Sequence, residues 1–119
     1  MTKRKSSMKI SEVMQILDAV SYCSGELLEN EVHSACGSDM MSDVLAFVKD
    51  QAMLVTGLVN AQAIRTADMM DMCCVVLVRG KKPTEEMCAL AGELGISLLS
   101  TDYPMYQACG RLYEAGLGR

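Results

Sequence analysis

The sequence predicts a small layered α/β domain with a mainly parallel central sheet and helices on both faces. Three observations carry this. Residues 53–55, 73–78 and 96–99 are short apolar runs of strand length. Two helix-patterned segments separate them, and strands joined by helical crossovers run parallel in one sheet. The middle run is apolar at nearly every position, as expected of a strand covered on both faces. The run endings, Thr56-Gly57, Arg79-Gly80-Lys81-Lys82-Pro83 and Ser100-Thr101-Asp102, then share one sheet edge, where open α/β folds bind ligands.

At the amino terminus, Lys3, Arg4, Lys5 and Lys9 make residues 1–9 a basic, solvated tail ahead of one domain over residues 10–119. Ile10, Val13, Met14 and Leu17 have the i, i+3, i+4, i+7 spacing of a helix with one buried face, with Ser11 as its cap. Residues 20–23 and 31–35 have mixed polarity and read as edge strands or an irregular pair around Gly25. Met41, Val44, Leu45 and Val48 mark a second helix, capped by Asp39. Residues 60–70 form a third, with Ala63, Ile64, Ala67 and Met70 inward and Thr66 as an interruption. Met87, Leu90, Ala91 and Leu94 form a fourth. Thr84 caps it, Glu85 and Glu86 complement its dipole, and Gly95 followed by Ile96 stops it. Met105, Ala108, Cys109 and Leu112 form the last, with Asp102 as cap, Pro104 in the first turn and Gly116-Leu117 as a Schellman stop.

A chain of 119 residues is long enough for one real core. Half of it is hydrophobic, yet it has no Trp, four Tyr and one Phe, so aliphatic side chains and eleven Met must fill the interior. Beyond the tail, seven basic residues face fifteen acidic ones, a poor balance for binding nucleic acid. No apolar run approaches the roughly 18 residues of a membrane span. Residues 1–7 are too polar for a signal peptide, so a cytoplasmic protein with six reduced thiols is expected.

Neither a GxGxxG nor a GxxxxGK[ST] pattern occurs, and no catalytic constellation is visible, so the reading is of a protein that is not an enzyme. Arg79, Lys81 and Lys82 crowd one strand ending. With Gly80 between them and a helix N-terminus at Thr84 beyond, they can hold a phosphate or carboxylate, or simply form a solvated turn. Adjacent Cys73 and Cys74 point to opposite faces of a strand, and Cys88 and Cys109 fit packing positions. Cys23 and Cys36 are the pair left as candidate intersubunit metal ligands. His33 stands in an edge strand without an evident orienting partner. Asp39 and Asp43 are spaced i, i+4 and can meet over a cation, although a cap and an exposed carboxylate explain them more simply.

Four segments carry a family resemblance: Ser42-Asp43-Val44-Leu45-Ala46, Leu54-Val55-Thr56-Gly57-Leu58-Val59-Asn60, Val76-Leu77-Val78-Arg79-Gly80-Lys81-Lys82-Pro83 and Ile96-Ser97-Leu98-Leu99-Ser100-Thr101. Together they resemble a DRTGG domain over nearly the whole chain after Lys9. The similarity is strongest to stand-alone members encoded beside iron-only hydrogenase and ferredoxin-like subunits. Many members have Asp-Arg after the first Thr-Gly and Thr-Gly-Gly after the next strand; here those places read Leu58-Val59 and Val78-Arg79-Gly80.

The resemblance implies a fold similar to the HPr kinase N-terminal domain and a regulatory or assembly module, commonly dimeric, with no chemistry of its own. The expected ligand is a small anion, with a nucleotide as one form. Its expected contacts are Thr56, Gly57, Asn60, Arg79, Gly80, Lys81, Lys82 and Thr101. No cofactor is expected; the alternative is a redox accessory carrying an iron–sulfur cluster for a hydrogenase complex. A homodimer is expected through residues 31–41 and the amino face of the helix at Asn60, with hydrogenase or ferredoxin-like subunits as further partners.

Overall fold

The computed structural model describes residues 7–23, 28–47 and 52–118. Gly25, Val48 and the tail residues Lys3, Arg4 and Lys5 lie outside these. Elements follow in the order β1 (Met8–Lys9), α1 (Ile10–Leu17), β2 (Val20–Cys23), β3 (Glu31–Val32), β4 (Ser34–Gly37), α2 (Met41–Phe47), β5 (Ala52–Thr56), α3 (Ala61–Met69), β6 (Cys74–Leu77), α4 (Glu85–Leu94), β7 (Ser97–Ser100) and α5 (Met105–Glu114).

The main sheet has the order β2-β7-β6-β5-β4. Strands β4 to β7 run parallel, with Leu54 beside Val75 and Val75 beside Leu98. Strand β2 closes one edge antiparallel to β7, with a register irregularity between Ser21 and Cys23. Strands β1 and β3 form a separate antiparallel pair. Met8 and Lys9, expected in the tail, are thus placed in a strand.

Alternate residues of the central strands feed two cores. Met53, Val55, Cys74, Val76 and Leu99 pack with Ile10, Val13 and Leu17 of α1 and Ala108 and Leu112 of α5. Leu54, Val75, Leu77 and Leu98 pack on the other face with Val44, Ala63, Ile64, Ala67, Met87 and Ala91 of α2, α3 and α4. Every residue of β5, β6 and β7 is buried, as a parallel sheet between two helical layers requires.

Several expectations need correction. Of the two readings of residues 20–23 and 31–35, edge strands holds for β2 and β4, which are opposite edges of the sheet, and the mutual pair does not; His33 is an exposed break between β3 and β4. Ser11 lies inside α1, whose cap position is Lys9, with the Lys9 N–H donating to Glu12 Oε1 at 3.1 Å. The α5 cap position is Pro104, not Asp102. Leu45 faces solvent, whereas Thr66 is buried as part of the inner face of α3. Thr84 does cap α4, accepting from the Met87 N–H at 3.1 Å.

The stops of α1, α3, α4 and α5 share one device, a left-handed residue followed by a bond back across the last turn. Gly95 and Gly116 fill that position, and the N–H groups of Ile96 and Leu117 donate to the carbonyls of Ala91 and Leu112. Asp18 and Asp71 fill it for α1 and α3, where no glycine marks the stop.

Candidate ligand edge of the sheet

The three strand endings do meet at one edge, and backbone bonds join them. The Val78 N–H donates to the Thr56 carbonyl at 3.1 Å, and Thr101 N–H to Leu77 at 2.9 Å. The N–H groups of Arg79 and Gly80 donate to the carbonyls of Tyr103 (2.9 Å) and Thr101 (2.8 Å). Arg79 and Gly80 both have positive φ, +58° and +67°, and Lys81 N–H returns to the Val78 carbonyl at 3.2 Å. This is the pattern of a type I′ turn.

The turn decides what the loop offers a ligand. Its N–H groups at positions 79, 80 and 81 are all used inside the protein, so no backbone cradle is left there for a phosphate. The Arg79, Lys81 and Lys82 side chains remain, exposed and with no hydrogen-bond or ion-pair partner among the described residues. The α4 N-terminus beyond them already carries Glu85 and Glu86 in its first turn, which weakens its attraction for an anion. Asp102 also stands near, 3.1 Å from where a Cβ on Gly80 would sit.

The hydroxyl groups expected to face a ligand have internal partners. Thr101 is buried, and its Oγ1 donates to the Leu17 carbonyl at 2.6 Å, holding the end of α1 against the sheet. The Thr56 Oγ1 donates to Asp39 Oδ1 at 3.1 Å and accepts from the Leu58 N–H at 3.1 Å. The Gly57 N–H donates to the same Asp39 oxygen at 2.6 Å. Asn60 caps α3, its Oδ1 accepting from the Gln62 N–H at 2.8 Å. The site therefore unites Thr56, Gly57, Arg79, Gly80, Lys81 and Lys82 along one edge, while Thr101 and Asn60 support it from structural positions.

Asp39 is the residue that sequence reasoning missed in this role. It does not cap α2: Ser38 Oγ accepts from the Met40 N–H at 3.0 Å, and the Met40 carbonyl takes the first helical bonds. No local pattern signals a contact between residues 17 and 18 positions apart.

The remaining candidates stand apart from this edge. Cys23 and Cys36 lie on the opposite outer strands β2 and β4, too far apart to share a ligand within one chain. Cys23 packs against α4, its Sγ 3.4 Å from a Cβ built on Gly92. Burial raises the thiols of Cys36, Cys73, Cys74, Cys88 and Cys109 above their ordinary ionisation range, most strongly at fully buried Cys74. Among the described residues no three His, Cys, Asp or Glu side chains converge on a metal position, and no helix is long and apolar enough to cross a membrane. Asp43 and His33 are exposed. A separate groove of about 850 Å³ runs between β4 and α5, lined by Ala35, Gly37, Met105, Tyr106, Cys109 and Tyr113.

Comparison with known proteins accords with this architecture. No curated protein matches the chain in sequence. Among solved structures, it is similar to the CBS and DRTGG domains of the regulatory region of Clostridium perfringens pyrophosphatase, determined with its activator diadenosine tetraphosphate. The TM-score is 0.73 at 13% identity, with 92% of this chain covered. The match takes in 48% of that protein chain, so the present chain corresponds to about half of it. The DRTGG domain model matches residues 12–115, and the chain belongs to the DRTGG domain family.

Proposed function

We propose that this chain is a non-enzymatic regulatory module of the cytoplasm that binds a phosphate-bearing small molecule, a nucleotide being the best example, at the carboxyl edge of β5 and β6. The observation that carries this reading is the trio Arg79, Lys81 and Lys82, exposed and unpaired among the described residues beside three joined strand ends. An otherwise acidic body that gathers free cations at one loop has a ready electrostatic focus for an anion. The similar pyrophosphatase region, named for its regulatory role and bound to a dinucleotide activator, supports the same class of ligand.

The module is also proposed to work as a homodimer. Strand β4 is an outer strand of small residues, Ser34-Ala35-Cys36-Gly37, and exposed Tyr106 and Tyr113 flank the groove beside it. Pairing β4 with its copy would cover an open edge. Hydrogenase or ferredoxin-like subunits are the partner class suggested by the resemblance to stand-alone members. Cys23 and Cys36, on opposite edges, could serve an iron–sulfur cluster only between chains, and the cation loop is the better supported site.

Calorimetric titration with AMP and ATP tests the ligand reading. Replacing Arg79 and Lys81 together by Ala should weaken binding by about 1.5–3 kcal/mol for each charged hydrogen bond lost. Equal affinity in the double variant would reject it.

A further inference from the structure

Asp39 sits where a ligand would be expected to place an oxygen. One carboxylate oxygen accepts from both the Gly57 N–H at 2.6 Å and the Thr56 hydroxyl at 3.1 Å. Thr56 itself is fully buried, and its oxygen is further fixed by the Leu58 N–H, so the two donors are held rigidly at the end of β5. A buried hydroxyl and a backbone N–H aimed at one oxygen form an anion-recognising pair. The carboxylate that fills it comes from an exposed turn between β4 and α2 and has no other hydrogen bond among the described residues.

The segment that carries the cations starts beside this pair, and none of the cations is paired to the carboxylate. Val78, the residue before Arg79, bonds to the Thr56 carbonyl, and its Cγ2 is 3.7 Å from a Cβ built on Gly57. Yet neither Arg79 nor Lys81 nor Lys82 forms an ion pair with Asp39. The edge therefore holds donors occupied by a carboxylate beside cations left open.

Resting on the anion-site reading above, we propose that Asp39 is an internal stand-in for the ligand: a phosphate oxygen displaces its carboxylate from Thr56 and Gly57 while Arg79 and Lys81 hold the remaining charge. Ligand entry then releases residues 38–40, which connect the outer strand β4 to α2, so occupancy of the site is transmitted to the sheet edge. The Ser38 N–H bond to the Val55 carbonyl at 3.0 Å ties this turn to β5 as well. A latch closed nine-tenths of the time weakens apparent binding about tenfold.

The test is calorimetry with inorganic phosphate and AMP on the unmodified chain, Asp39→Ala, and Asp39→Ala with Thr56→Val. Asp39→Ala should bind at least about tenfold tighter, and adding Thr56→Val should remove the gain. Equal or weaker binding by Asp39→Ala, with the Arg79/Lys81 double variant still impaired, overturns the latch and leaves the site reading standing. No binding by either the unmodified chain or Asp39→Ala overturns both. An amide NMR titration of the unmodified chain gives a readout free of folding effects. The Gly57 signal should move together with those of residues 38–40; movement confined to residues 79–82 overturns the latch.

Discussion

The centre of the sheet and its edges are built from different material. Strands β5, β6 and β7 are buried at every position, whereas β2 and β4 alternate between exposed and half-buried residues. Two helical layers cover the centre, so each central residue removes apolar surface from water whichever way it points. At the edges the cover is incomplete: on β4, Cys36 packs into one core while Ala35 and Gly37 line the open groove beside α5, and the strand's outer N–H and C=O groups have no neighbour in the sheet. Stability is therefore concentrated in the middle strands, and freedom to meet a partner lies at the rim.

The largest effect that can break this contrast is a core truncation. Leu98→Ala removes a fully buried side chain from β7 and should cost about 2–5 kcal/mol, whereas Val20→Ala on β2, 60% exposed, should change stability by no more than about 0.5 kcal/mol. Urea unfolding midpoints measure both. Similar losses at the two positions would show that β2 contributes to the core as fully as β7.

The same contrast explains what could be read from the sequence. Burial on two faces demands unbroken apolar runs, and those runs identified β5, β6 and β7, their parallel order and the shared edge of their endings. The edge strands carry only half a pattern. Their polarity marked 20–23 and 31–35 as edges, but nothing local told that they belong on opposite sides. At the site, Arg79, Lys81 and Lys82 were legible because charge clusters in sequence as in space. Asp39 was not, because its contact with Thr56 and Gly57 depends on how β4 lies beside β5. The turn itself was not legible either: both of its central residues have positive φ, a region that favours Gly, yet Arg79 takes the first place at +58° and only the second is Gly80.

A medium effect separates thiols at the centre and the edge. Burial raises the Cys74 thiol from an ordinary value of 9.0, so the folded chain keeps a proton that the unfolded chain gives up. The sign follows: stability is full below the unfolded value and falls as pH rises beyond it, by up to about 1.4 kcal/mol per pH unit. Urea unfolding between pH 8 and about 10.5 should show that decline, and Cys74→Ala should flatten it. Cys36→Ala, at a half-buried edge position, should flatten it less. A slope unaltered by Cys74→Ala would mean that the centre of the sheet admits the thiolate.

The smallest effect concerns how the helices leading into the central strands are stopped. Helix α3 ends with Asp71 at φ +56° before β6, and α4 ends with Gly95 at φ +73° before β7. Both are followed by the same backbone bond, Met72 to Ala67 and Ile96 to Ala91. A Cβ built on Gly95 meets no atom within 4 Å, so Gly95→Ala tests backbone conformation without a steric clash. The left-handed region costs an ordinary residue about 1–2 kcal/mol, partly offset by the reduced freedom of the unfolded chain, and a net loss of about 1 kcal/mol is expected. Asp tolerates this region better than Ala, so Asp71→Gly should gain no more than about 0.5–1 kcal/mol. Thermal unfolding of the two variants measures both. A loss on Asp71→Gly would mean that the Asp71 side chain stabilises its stop by more than the left-handed strain costs, and the two helix ends, alike in backbone, would then be held by different forces.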